Sequence, residues 1–167
     1  MAEQGQPHAW GSGGRAAHAP GADERALVES YMTRPALTVS ADTSVGAALG
    51  AMHEFKTHHL LLEDRGRIVA IVSDRDLYRT ASPRAGTPSS SRADDATLRR
   101  PVHLVATYGL ITVPASATIE EAAALMLERS VSALPVTDGA DSILGMLTSR
   151  DLLRGLLTCA LPRDAAA

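Results

Sequence analysis

The sequence predicts an α/β (α+β) protein of two pseudo-symmetric repeats, each running strand, helix, strand, strand, helix, packed on one another through their sheets. Three observations carry this expectation. One pattern recurs at a spacing of 74 to 75 residues, and a matched pair of segments says more about architecture than any single motif. Each copy places four apolar residues at i, i+3, i+4 and i+7: Val45, Ala48, Leu49 and Met52, then Ile119, Ala122, Ala123 and Met126. That period is one face of an amphipathic helix. Each helix is followed by two short apolar runs joined by a glycine-containing turn, the pattern of a strand pair.

Taken in order, residues 1–24 hold Gly11-Ser12-Gly13-Gly14 and Ala19-Pro20-Gly21 with almost nothing apolar. Ordering them would cost backbone entropy without return, so a disordered tail is expected. The first repeat spans residues 25–80. Thr38-Val39-Ser40-Ala41 is its first strand, Ser44 caps its helix, and Phe55 extends the apolar face. Strands over His59 to Glu63 and Ile68 to Val72 flank a turn at Asp64-Arg65-Gly66. Ser73, ahead of Asp74-Arg75-Asp76-Leu77, reads as another helix cap.

Residues 81–100, with Ser82-Pro83 and Thr87-Pro88-Ser89-Ser90-Ser91, are a linker; a helical turn within Arg92 to Arg100 would stop before Pro101. The second repeat spans residues 101–158. Thr112-Val113-Pro114-Ala115 matches the first strand, and Thr118-Ile119-Glu120-Glu121 is a Thr-x-x-Glu capping box. Ala133 to Thr137 and Ile143 to Leu147 are its strands, the turn between them being one residue longer, and Thr148-Ser149-Arg150-Asp151-Leu152 closes it. Residues 159–167 form a C-terminal tail. One repeat of about fifty residues buries too little surface to stand alone, so the two copies are expected to pack together.

Composition narrows the function. Of 167 residues 45% are hydrophobic and 21% charged, and the net charge is −3. No strong positive field is available for a nucleic-acid backbone, and five aromatic residues make few base-stacking platforms. The run Ile68-Val69-Ala70-Ile71-Val72 falls far below the ~18 residues of a membrane span, and no apolar signal segment opens the chain. With Cys159 as the one cysteine, an intrachain disulfide is excluded and a cytoplasmic location is expected. No Walker-type loop occurs, and no Ser-His-Asp or Cys-His grouping falls at compatible positions, so catalysis is not expected.

The candidate site is built from Ser73-x-x-Asp76 and Thr148-x-x-Asp151. A cap hydroxyl and a carboxylate one turn later sit at the same helix end, where the carboxylate can accept from two vicinal ribose hydroxyls. The hydroxyl and the free first-turn amides suit a sugar or phosphate oxygen. Taken singly, each motif is also an ordinary helix cap. Arg75 and Arg150 stand beside them as phosphate contacts or as solvated side chains. His53, His58, His59 and His103 invite a metal, but strand neighbours such as His58 and His59 point to opposite faces, and no metal site is expected. Met32, Met52, Met126 and Met146 belong to the apolar pattern as core filler.

Tyr31-Met32-Thr33-Arg34-Pro35, Thr-Val before each first helix, Leu134-Pro135-Val136 and the two Ser/Thr-x-Arg-Asp-Leu closings give the chain its family likeness. It resembles the cystathionine-β-synthase (CBS) domain family in its tandem arrangement, the Bateman module, over roughly Val28 to Leu157. The resemblance implies a non-catalytic regulatory module. It implies clefts between the repeats that bind AMP, ADP, ATP or S-adenosylmethionine, with Asp76 and Asp151 on the ribose and backbone near Thr38 and Thr112 on the adenine. It also implies a homodimer and a regulated protein partner, with no nucleic acid and no membrane. The second repeat lacks the Met-Thr-x-x-Pro opening, and Leu61 stands where the second repeat has Pro135, so the two clefts are expected to differ in shape. A ligand-free dimerisation scaffold is the alternative.

Overall fold

The computed structural model describes residues 26–139 and 142–160. The N-terminal tail 1–24, with His8, Trp10 and His18, and residues 161–167 lie outside the described residues, as does the side chain of Cys159. The first repeat forms β1 (Thr38–Ser40), α1 (Val45–Glu54), β2 (His59–Asp64), β3 (Arg67–Ser73) and α2 (Asp74–Thr80). Next come α3 (Arg92–Leu98) and β4 (Thr107–Tyr108). The second repeat forms β5 (Val113–Pro114), α4 (Ile119–Arg129), β6 (Ala133–Thr137), β7 (Ile143–Thr148) and α5 (Ser149–Ala160). The two β-α-β-β-α units thus stand as the spacing predicts.

The helices begin where the caps dictate. Ser44, Ser73, Ser91 and Thr118 each accept from an amide one turn on, and the last three complete reciprocal capping boxes with Asp76, Asp94 and Glu121. One sheet has the order β1-β2-β3-β4 and the other β5-β6-β7. In both, the first pair is parallel and the next antiparallel. Parallel neighbours need a crossover, which α1 and α4 supply.

The leading segments of the repeats are exchanged. Thr107 of β4 pairs with Ile71 in the first sheet, while its counterpart Thr33 pairs with Met146 in the second. Leu27 bridges Thr118, and its counterpart Pro101 bridges Ser44. Val28 and Val102 are both fully buried, Val28 among Ile119, Leu134 and Leu147 of the second unit, Val102 among Val45, Leu62 and Val72 of the first. The first packing unit is therefore the continuous stretch 37–108, inserted into a second unit formed by 26–33 and 110–160.

A smaller cluster joins the two: Leu61, Ala133 and Met146, with Ile68, Ile71, Leu110 and Ile143 against them. The repeats thus pack through their sheets. Gly145 lies at a close approach, where a Cβ would stand 2.5 Å from the Thr33 carbonyl oxygen. The segment between the repeats is fixed by side chains: the Ser82 amide donates to Thr97 Oγ1 (2.9 Å), the Ser82 hydroxyl donates to Asp94, and the Gly86 amide donates to Asp95 (3.0 Å). These bonds seat α3 on α1, with Leu98 against Gly46.

Candidate functional site

The sheet register collects the candidate residues at one end of each unit. Thr38 opens β1 beside Leu61, His59 opens β2, and Ser73 ends β3 opposite His59. Correspondingly, Thr112 immediately precedes β5, Ala133 opens β6, and Thr148 ends β7 opposite Ala133. The two ends meet where Ser132 Oγ lies 3.4 Å from His59 Nε2, and the Ser149 amide donates to the Ser132 carbonyl. The structure so brings Thr38, Ser73, Arg75 and Asp76 to one edge, Thr112, Thr148, Arg150 and Asp151 to the other, and joins the edges at His59–Ser132. Thr38 also borders a cleft of about 310 Å³ with Ser40, Glu63 and Asp64 that includes none of the other seven.

The two carboxylates differ in what they hold. Asp151 Oδ2 accepts from the Thr148 amide (2.8 Å) and hydroxyl (2.7 Å), and Oδ1 accepts from Arg154 at 2.7 Å. The residue is 6% exposed, and Arg154 also donates to the Tyr31 carbonyl. Asp76 makes the same capping contacts to Ser73 through Oδ2, yet its Oδ1 has no partner among the described residues. Arg79, the counterpart of Arg154, makes no ion pair there either. Arg75 and Arg150 are exposed.

Beside the first edge, His58 Nδ1 lies 2.7 Å from Asp74 Oδ2. Partial burial pushes the Asp74 carboxyl up, but the hydrogen bonds from His58 and the Arg75 amide outweigh it and hold its pKa below the ordinary value. Burial pulls the His59 pKa below its ordinary value, with Asp74 opposing and His58 adding to the shift. Its Nδ1 is buried without a hydrogen-bond partner. The sequence placed His59 at the start of a strand and among several histidines; its position opposite Ser73 follows from the strand pairing.

Leu61 is fully buried between the sheets, while Pro135 lies in β6 opposite Met146. Met52, Met126 and Met146 are buried, and Met32 packs against the second core. His53 is exposed and His103 Nδ1 faces the Ala41 carbonyl at 3.0 Å. Among the described residues no three metal-ligating side chains gather at one point, and no helix is long and apolar enough to cross a membrane.

The fold defines a tandem pair of α/β units packed through their sheets, and comparison with known proteins gives the family. The CBS domain model matches residues 28–82 and 102–158, so the chain belongs to the CBS domain family, as a tandem pair. It is 29% identical over 140 residues to a CBS domain-containing protein of Dictyostelium discoideum, covering 83% of this chain and 96% of that one. Other relatives are longer: the match covers 23% of an inosine-5'-monophosphate dehydrogenase of Methanocaldococcus jannaschii, at 25% identity and 75% of this chain.

Among solved structures, CBSX2 in complex with AMP is 29% identical with a TM-score of 0.63, over 80% of this chain and 97% of that one. The CBS domain pair of protein MJ0100, in complex with 5'-methylthioadenosine and S-adenosyl-L-methionine, shares the fold at 21% identity and a TM-score of 0.66, covering 80% and 98%.

Proposed function

We propose that this chain is a non-catalytic, cytoplasmic regulatory module. It binds an adenosine-containing ligand (AMP, ADP, ATP or S-adenosylmethionine) at the edge between its repeats and passes the signal on by rearranging a dimer or a protein partner. The observation that carries this is Asp76: a carboxylate fixed by its own cap, with one oxygen unengaged. Such an oxygen can accept from a ribose hydroxyl without first breaking a bond. Ser73 supplies a hydroxyl beside it, the exposed Arg75 and Arg79 of the same helix supply two cations suited to phosphate, and Thr38 supplies backbone at the same edge. The AMP bound by CBSX2 at 29% identity supports the ligand class.

Asp151, Thr148, Arg150 and Thr112 form the second candidate edge, which opens only when Arg154 releases Asp151. Binding at the Asp76 edge is therefore the stronger. Calorimetric titration of the purified chain with each of the four ligands tests this. One ligand is expected to bind with a stoichiometry of one; Asp76→Ala removes binding and Asp151→Ala retains it. Unchanged affinity in Asp76→Ala rejects the site, and silence with all four ligands rejects the sensor. The second reading, a ligand-free dimerisation scaffold, is favoured by the exposed leucines of α4 and α5.

A further inference from the structure

One nitrogen of Arg154 holds two acceptors that belong to different parts of the fold. Its Nη2 donates to Asp151 Oδ1 at 2.7 Å and to the Tyr31 carbonyl at 3.1 Å. Asp151 is buried, and Thr148 engages its other oxygen. Oδ1 is therefore the acceptor that a ribose hydroxyl would need, and the guanidinium already stands on it. Its bond is charge-assisted, stronger than the neutral hydroxyl bond that would replace it.

The first edge lacks this arrangement because two residues differ. Tyr31 has Val105 as its counterpart, and Gly155 has Thr80. Gly155 is buried on α5, where a Cβ would stand 3.3 Å from Tyr31 Cε1; with no Cβ there, the ring lies against the helix. The Tyr31 amide donates to the Val28 carbonyl (3.0 Å), and Val28 is fully buried in the second core. The leading segment thus holds the Tyr31 carbonyl in place as a second anchor for Arg154. On α2, Thr80 carries a side chain, Arg79 is exposed, and Asp76 Oδ1 stays open.

We infer that Arg154 is a specificity-determining residue that stands in for the ligand at the second edge and, anchored by Tyr31, restricts this tandem pair to one occupied edge. The inference rests on the ribose role proposed for the two aspartates. A ligand at Asp151 must displace a charge-assisted bond that the protein already makes and detach Arg154 from Tyr31. Losing such a bond weakens the second edge about ten- to a hundredfold against the first.

The test is calorimetric titration of the full chain and its variants with AMP, ADP, ATP and S-adenosylmethionine in turn, circular dichroism verifying that each variant folds. Wild type is expected to take one ligand and Arg154→Ala two. Arg154→Lys keeps the cation and is expected to stay at one. Combining Arg154→Ala with Asp76→Ala leaves one ligand, bound at the second edge, although Asp76→Ala alone binds none. A stoichiometry of one in Arg154→Ala overturns the inference and leaves the ligand reading standing, as does a stoichiometry of two in wild type. No binding in wild type with one ligand in Arg154→Ala upholds the role of Arg154 while rejecting Asp76 as the site. Silence of both proteins toward all four ligands overturns the inference together with the sensor.

Discussion

Asp76 and Asp151 occupy equivalent places and carry the same motif, yet their neighbours give them different work. Asp151 is buried and holds both a cap and Arg154; removing it strips an ion pair as well as a helix start. Asp151→Ala is expected to cost about 2 kcal/mol against about 1 for Asp76→Ala, read from urea midpoints; equal shifts would contradict the difference in pairing. The sequence showed the two motifs in register but not this inequality, because Arg79 and Arg154 look alike until Tyr31 is brought beside one of them. His59 gives a pH dependence. Burial lowers its folded pKa, so the unfolded chain takes up the proton more readily. Its contribution is full above about pH 6.5 and is lost as the pH falls below that. His59→Leu should flatten the fall in stability below about pH 6.5.

At the level of elements, glycines separate helices that must approach from helices that need not. A Cβ at Gly155 on α5 would meet Ile119 Cδ1 at 2.9 Å and the Tyr31 ring at 3.3 Å. Gly50 on α1 has nothing within 4 Å. Gly155→Ala is expected to destabilise by about 1 kcal/mol, overpacking outweighing its helix propensity, whereas Gly50→Ala should stabilise by about 0.5 to 1 kcal/mol. Thermal melts of the two variants shifting in the same direction would refute this. The main helices and strands were legible because each carries its own period and cap. The extra strand at Thr107–Tyr108 was not, since two residues carry no period. What could have exposed its role is the matched pair Val28 and Val102, 74 residues apart.

Over the whole molecule, the exchanged leading segments tie the two units into one folding reaction. Val28 lies in one core and Val102 in the other, and the Thr33–Met146 bridge crosses between sequence repeats. A single cooperative transition is therefore expected, with circular dichroism and the hydrogen exchange of both sheets reporting the same midpoint. Cutting at the linker leaves one fragment without β4 and Val102 and the other without the Thr33 bridge and Val28, and neither is expected to fold by itself. Two resolved transitions would show that the units are independent. The repeat spacing announced two units, but could not say which unit each leading segment joins, because the exchanged and unexchanged arrangements bury the same residue types.

The insertion of residues 37–108 into the second unit also sets an order in time. A ribosome releases residues 26–33 ahead of everything the first unit needs, and only afterwards the strands and helices that receive Val28. A segment made before the whole of the inserted unit is thus among the last to find its place. It must stay available, neither captured nor cleaved, while its neighbour folds around a gap in the chain's history.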